Sequence, residues 1–181
     1  MSHIIVQNRG ELPIWGMRLL GLSDKTEDQI GRFGTGLKEA IALLIREGVP
    51  PIIYSGTCRV DFSVQTIDDQ QEVCFRLSES NGRFAADEWH GLGLHENFGR
   101  TDWNDLWMAF REIFCNAIDA GSIDDMHHYV TSHEPSGVAG ATRVYVPVTM
   151  ETLTAYSSVP ERLLSMGDDR TLMTLESLGK V

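Results

Sequence analysis

The chain has 181 residues, 42% apolar and 23% charged, and its 15 Lys and Arg against 26 Asp and Glu leave a formal net charge of −11. This is the composition of a soluble globular chain long enough to bury one core, and a single domain over 1–181 is expected. The acidic surplus works against binding nucleic acid through its phosphates, so an anion would have to be gripped locally, by backbone amides or through a metal ion.

Cys58, Cys74 and Cys115 stand far apart, form no CxxC pair and are odd in number, which predicts reduced thiols and a cytoplasmic location. MSHIIVQNRG has neither a basic region nor a long apolar run, and no apolar run reaches about 18 residues, so no secretion and no membrane span are expected.

In chain order, HIIVQ (3–7) reads as a short strand stopped by the turn-forming NRG. A helix is expected over 12–20, with Pro13 in its first turn. Residues 23–36, SDKTEDQIGRFGTG, show no apolar period and read as a loop of about 14 residues. Over 37–47, Leu37, Ala40, Ile41, Leu44 and Ile45 recur with helical spacing, and Gly48 and two prolines end that helix. IIYSGT, CRVDFSVQT and EVCFRLSE, between 52 and 79, predict an antiparallel meander.

The glycine-rich 80–102 is the candidate for an inserted lid or partner loop. The segment 103–120, WNDLWMAFREIFCNAIDA, carries the strongest helical signal and is followed by Gly121 at a plausible C′ position. Beyond a polar His-bearing loop, 141–149 predicts a last strand, 150–166 a weak helix and 167–181 a weakly structured tail.

On the helix 103–120, Trp103, Leu106, Trp107, Phe110, Ile113, Phe114, Ala117 and Ile118 fill a stripe about 140° wide, which is the core face. Glu112, Asn116 and Asp119 cluster on the opposite face within about 60°. Two readings are open for these three: a solvated face, or a site on which their side chains converge. Asn in mid-helix favours the second, because a solvent face has no reason to prefer it over Lys, Glu or Gln.

In IGRFGTGLKEAIALL (30–44), the backbone N–H groups of Gly31, Gly34 and Gly36 could hold phosphate at the start of the helix near Leu37, with Lys38 adding charge in the first turn. The alternative is turn geometry alone. The stretch is neither a Walker loop nor a Rossmann fingerprint.

EIFCNAIDAG resembles the ExxxNAxDA box of the GHKL ATPases, the superfamily of gyrase, heat-shock chaperones, histidine kinases and mismatch-repair proteins. IGRFGTGLKEAIALL resembles that superfamily's IGxFGxGxxxA phosphate loop, and IIVQNRGELPIWGMRLLGLSDK its strand, DxGxG turn, short helix and GxSxK. The box follows the other two motifs here instead of preceding them, as a circular permutation would produce. ATRVYVPVT would then be the strand after the box helix and HIIVQ its neighbour. The opening stretch is also similar to phage-encoded proteins of this permuted kind.

The resemblance implies an α+β fold, a two-layer α/β sandwich in which a mixed, mostly antiparallel sheet carries helices on one face. It implies ATP as ligand with Mg²⁺, Glu112 as the general base and Asn116 as the Mg²⁺ ligand. Asp119 would lie on the adenine or ribose side. Gly31, Gly34, Thr35, Gly36, Leu37, Lys38 and Lys25 would surround the phosphates, with Asn8 and Gly10 at the base. Asn8 stands where the superfamily has the adenine-binding Asp and lacks its charge; Leu12 replaces the second glycine; and Thr57 and Thr142 are both candidates for the superfamily's late-strand threonine.

The implied activity is slow ATP hydrolysis gating contact with an unidentified protein partner, a homodimer included. The alternatives are a nucleotide-binding module without turnover and an interaction protein such as a phage factor engaging host machinery. A metal set of Asp124, Asp125, His127, His128 and His133 is disfavoured, because adjacent histidines do not both face one ion easily and no HExxH or cysteine partner is near.

Overall fold

The computed structural model describes residues 1–14, 36–120 and 125–165. Within them the order is β1 (His3–Arg9), α1 (Gly36–Arg46), β2 (Ile52–Ser55), β3 (Cys58–Ile67), β4 (Gln70–Leu77), β5 (Trp89–His95), α2 (Leu106–Asp119), β6 (His127–Thr131), β7 (Ala141–Pro147) and α3 (Met150–Ser165). The strands form one seven-stranded sheet ordered β5, β4, β3, β2, β7, β1, β6. All its pairings are antiparallel, so the fold is α+β with an antiparallel rather than a mixed sheet.

Alternation along the strands sorts the two sheet faces. Ile4, Val6, Ile53, Val60, Phe75 and Val144 join Ile41 and Leu44 of α1, Phe110 and Phe114 of α2 and Val159 of α3 in the main core. The opposite face holds a smaller cluster of Ile5, Tyr54 and Tyr145. The segment between β6 and β7 straps over it: the Tyr54 hydroxyl donates to the Pro135 carbonyl at 3.0 Å and the Tyr145 hydroxyl to that of Ser136 at 2.8 Å.

The helices are closed by local chemistry. Asp105 caps α2 by accepting the Trp107 N–H at 3.2 Å, so the helix starts at Leu106 and not at Trp103. α1 ends at Gly48 in the left-handed region (φ +73°), with the Gly48 and Val49 N–H groups bonded to the Ile45 and Leu44 carbonyls. At α3 the Thr149 hydroxyl accepts the Thr152 N–H and the Thr152 hydroxyl accepts the Thr149 N–H, a reciprocal cap.

Two expectations change. The 80–102 excursion contains β5, which pairs with β4 and extends the sheet. Its far end is tied down by Arg46, whose guanidinium donates to the carbonyls of Glu96, Phe98 and Trp103 at 3.2, 2.9 and 2.8 Å. The polar His-bearing loop contains β6, so the strand next after α2 is β6 and not β7; both flank β1. Of the helix expected over 12–20, residues 15–20 lie outside the described residues, as do Gly121 and the tail 167–181.

Candidate nucleotide site

α2 packs between α1 and α3 and beside β1. Its second face is therefore not a free solvent face. Glu112, Asn116 and Asp119 are all partly buried, and the Glu112 side chain is only 12% exposed. Asn116 lies one turn beyond Glu112 and its Nδ2 donates to the Glu112 carbonyl at 2.8 Å; Oδ1 is the acceptor atom of that side chain. Arg111 Nη1 stands 3.0 Å from Glu112 Oε1.

The first turn of α1 closes on this carboxylate. A Cβ built at Gly36 would meet Glu112 Oε2 in overlap, with Cδ at 2.8 Å and Cγ at 3.3 Å, so glycine is what lets the α1 N-terminus come this near. Lys38 is buried at 5% exposure, and burial pulls its ammonium below the usual lysine range. Leu37 is half-buried and packs on the core. Glu39 was not singled out by sequence, yet burial, then the charges of Glu112 and Asp102, hold its carboxyl above the usual carboxylate range.

β1 ends at the other end of the α2 face. Gly10 takes φ +94°, a conformation that favours glycine, and a Cβ there would lie 3.6 Å from the carbonyl oxygen of Ala120, the α2 C-cap. Asn8, 5% exposed, donates from Nδ2 to the Arg9 carbonyl at 2.8 Å. Directly across the β1–β7 ladder from Asn8 sits Thr142. Its hydroxyl donates to the Gly10 carbonyl at 2.8 Å and accepts the Leu12 N–H at 2.9 Å, while Ser55 Oγ donates to the Leu12 carbonyl at 2.9 Å. Thr57 lies exposed between β2 and β3, so of the two threonines Thr142 is the one that adjoins Asn8.

Between Glu112 and Ala120 the helix rises about 12 Å. One end of this face meets the start of α1 and the other meets the β1 turn. Lys25, Gly31, Gly34 and Thr35 lie outside the described residues. A separate cleft of about 480 Å³, lined by Arg46, Asn97, Arg100 and Trp103 among others, opens at the far end of α1 and includes none of the predicted site residues.

Among the described residues no group of three or more His, Cys, Asp or Glu could hold an ion, and Asp124 lies outside them. His128 faces the helices, its Nδ1 2.7 Å from the Tyr156 hydroxyl and its ring 5.0 Å from that of Phe114; burial lowers its pKa. Period-two alternation sends His127 to the other face. No described helix is long and apolar enough to cross a membrane. No protein-family model, curated protein or solved structure matches the chain.

Proposed function

We propose that the α2 face carrying Glu112, Asn116 and Asp119 binds ATP with Mg²⁺, in the manner of a permuted GHKL domain, and hydrolyses it slowly. The observation that supports this best is the closure of Gly36, at the α1 N-terminus, on the Glu112 carboxylate. A helix N-terminus favours phosphate and a nearby carboxylate can order the attacking water, and phosphoryl transfer needs positioning and charge neutralisation above all. The donor set suits Mg²⁺, which keeps most of its waters and takes few protein ligands beside the phosphates; Asn116 Oδ1 would be one. Bound there, the ion would neutralise the charge that builds up on the phosphates. Glu112 orients or deprotonates water, Lys38 contributes positive charge, and Asn8 with Thr142 and Gly10 lines the base end beside Asp119. Nucleotide occupancy would then gate contact with a protein partner.

A second reading, binding without turnover, is favoured by the Arg111 ion pair. The guanidinium engages Oε1, one of the two oxygens that Glu112 could turn toward an attacking water. Titration calorimetry with Mg-ATP on the wild type and Asn116→Ala tests the shared part, and phosphate release by Glu112→Ala separates the two. Binding lost in Asn116→Ala is expected; a wild type that takes up no ATP overturns both.

A further inference from the structure

The geometry points to the outer edge of β6 as a self-association surface, on which a second copy of this chain pairs its own β6 antiparallel. This goes beyond the nucleotide reading and does not depend on it.

β6 is the last strand of the sheet on its side, and among the described residues no strand pairs with its outer edge. Such an edge offers a row of backbone donors and acceptors, which proteins ordinarily blunt with lysine, proline or an inward charge. Here Met126 through His133 contains no Asp, Glu, Lys, Arg or Pro. The strand also shows apolar side chains on both faces. Tyr129, opposite Ile5, lies on the strapped face at 45% exposure, and Val130, opposite Ile4, on the helix face at 47%. A strand added to the edge would cover both.

Further apolar groups stand at the same corner. β1 begins at His3, which pairs with Thr131 and Pro147, and the Val148 N–H bonds to the Ser2 carbonyl. Met1 (91% exposed) and Met150 (76%) are therefore at this end of the sheet. Leu153, at 37%, follows one turn along α3, the helix whose Tyr156 meets His128 of β6.

Two arguments select a second copy as the occupant. At net −11 two copies repel over most of their surface, and an uncharged stretch is where they can meet. The five-residue strand is also its own complement. Centred on Tyr129, it pairs 127 with 131′ and 128 with 130′ about a two-fold axis, the isologous geometry of most homodimers. One short strand buries less than the roughly 800 Å² a side of a stable interface. Met1, Met150 and Leu153 extend the contact, and the association is weak and concentration-dependent.

Sedimentation equilibrium over a wide concentration range is the first test, with wild type, Val130→Lys and Ile67→Lys, the last an exposed apolar residue at the end of β3. Reversible dimerisation of the wild type is expected, weakened about tenfold or more in Val130→Lys and unchanged in Ile67→Lys. Should Val130→Lys fold poorly, mild oxidation of Tyr129→Cys answers the same question, because a residue on the two-fold axis meets its own copy: a covalent dimer is expected there and not with Ile67→Cys. A wild type that stays monomeric throughout, a dimer indifferent to Val130→Lys, or equal crosslinking at 129 and 67 overturns the proposal.

Discussion

Replacing Gly36 with alanine perturbs the proposed site through a single methyl group. The added Cβ would stand 2.8 Å from Glu112 Cδ and 3.3 Å from Cγ, where ordinary carbon contacts need about 3.5–4.0 Å. The carboxylate is the movable partner and must retreat by on the order of 1 Å. Stability changes little. Alanine gains a fraction of the roughly 1 kcal/mol that separates it from glycine inside a helix. Loosening, without breaking, the partly buried Arg111 pair loses about 1 kcal/mol. The sum lies within about 1 kcal/mol of zero, or roughly 2–4 °C in melting temperature for a domain of this size. Activity behaves differently, because misplacing a catalytic group by about 1 Å costs roughly 100-fold. Phosphate release should therefore fall about 100-fold while the melting temperature and the calorimetric affinity for Mg-ATP stay near wild type. Wild-type turnover in Gly36→Ala, beside turnover that is lost in Glu112→Ala, would show that the α1 N-terminus does not set the position of this carboxylate and would refute the reasoning.

Thr142→Val keeps the shape but strands the Gly10 carbonyl and the Leu12 N–H, so chemical denaturation should show a loss of about 2–3 kcal/mol; a change below about 0.5 kcal/mol would mean that water replaces the hydroxyl. Arg46→Ala releases three carbonyls of the 96–103 segment, and limited proteolysis should cut there in the variant well before it cuts the wild type, with about 2–3 kcal/mol of stability lost. Glu39, whose folded-state pKa is raised by burial first and then by Glu112 and Asp102, favours folding below its unfolded pKa, and that contribution is lost as pH rises through the folded value. Glu39→Gln should accordingly melt above wild type at neutral pH, with the gap closing as pH falls into the carboxylate range; a variant that melts lower at neutral pH would mean that the carboxylate's attraction to the α1 N-terminus outweighs its burial.

The elements legible in sequence are those whose burial imposes a period. The stripe from Leu106 to Ile118 gave α2, and alternation in CRVDFSVQT and EVCFRLSE gave β3 and β4. β5 and β6 were not legible, for opposite reasons. In WHGLGLH the outward positions include Gly91 and Gly93, which read as loop; the Glu72 side chain fills the space beside Gly91 and accepts the Gly93 N–H at 2.8 Å. In HHYVT the strand borders the sheet, so among the described residues one neighbouring strand constrains it and no apolar alternation develops: His128 and Val130 share one face, Tyr129 takes the other. At the candidate site, Glu112, Asn116 and Asp119 follow from helical spacing. Glu39 reads as an ordinary first-turn acid, and Thr142 becomes preferable to Thr57 only once strand register is known. Those two are facts of tertiary proximity, which no local pattern carries.

β1 lies between β7 and β6, and both partners come from more than a hundred residues further along the chain. No earlier segment can complete its pairing, so during synthesis Ile4, Ile5 and Val6 leave the ribosome long before Tyr145 exists to receive them. At roughly 5–20 residues per second the wait is on the order of ten seconds. Closing so long a loop also slows folding once the chain is finished. For that interval an apolar strand with both edges open competes for neighbouring chains. The yield of native protein in a cell will therefore depend on translation speed and on holdase capacity before it depends on the stability of the finished sheet.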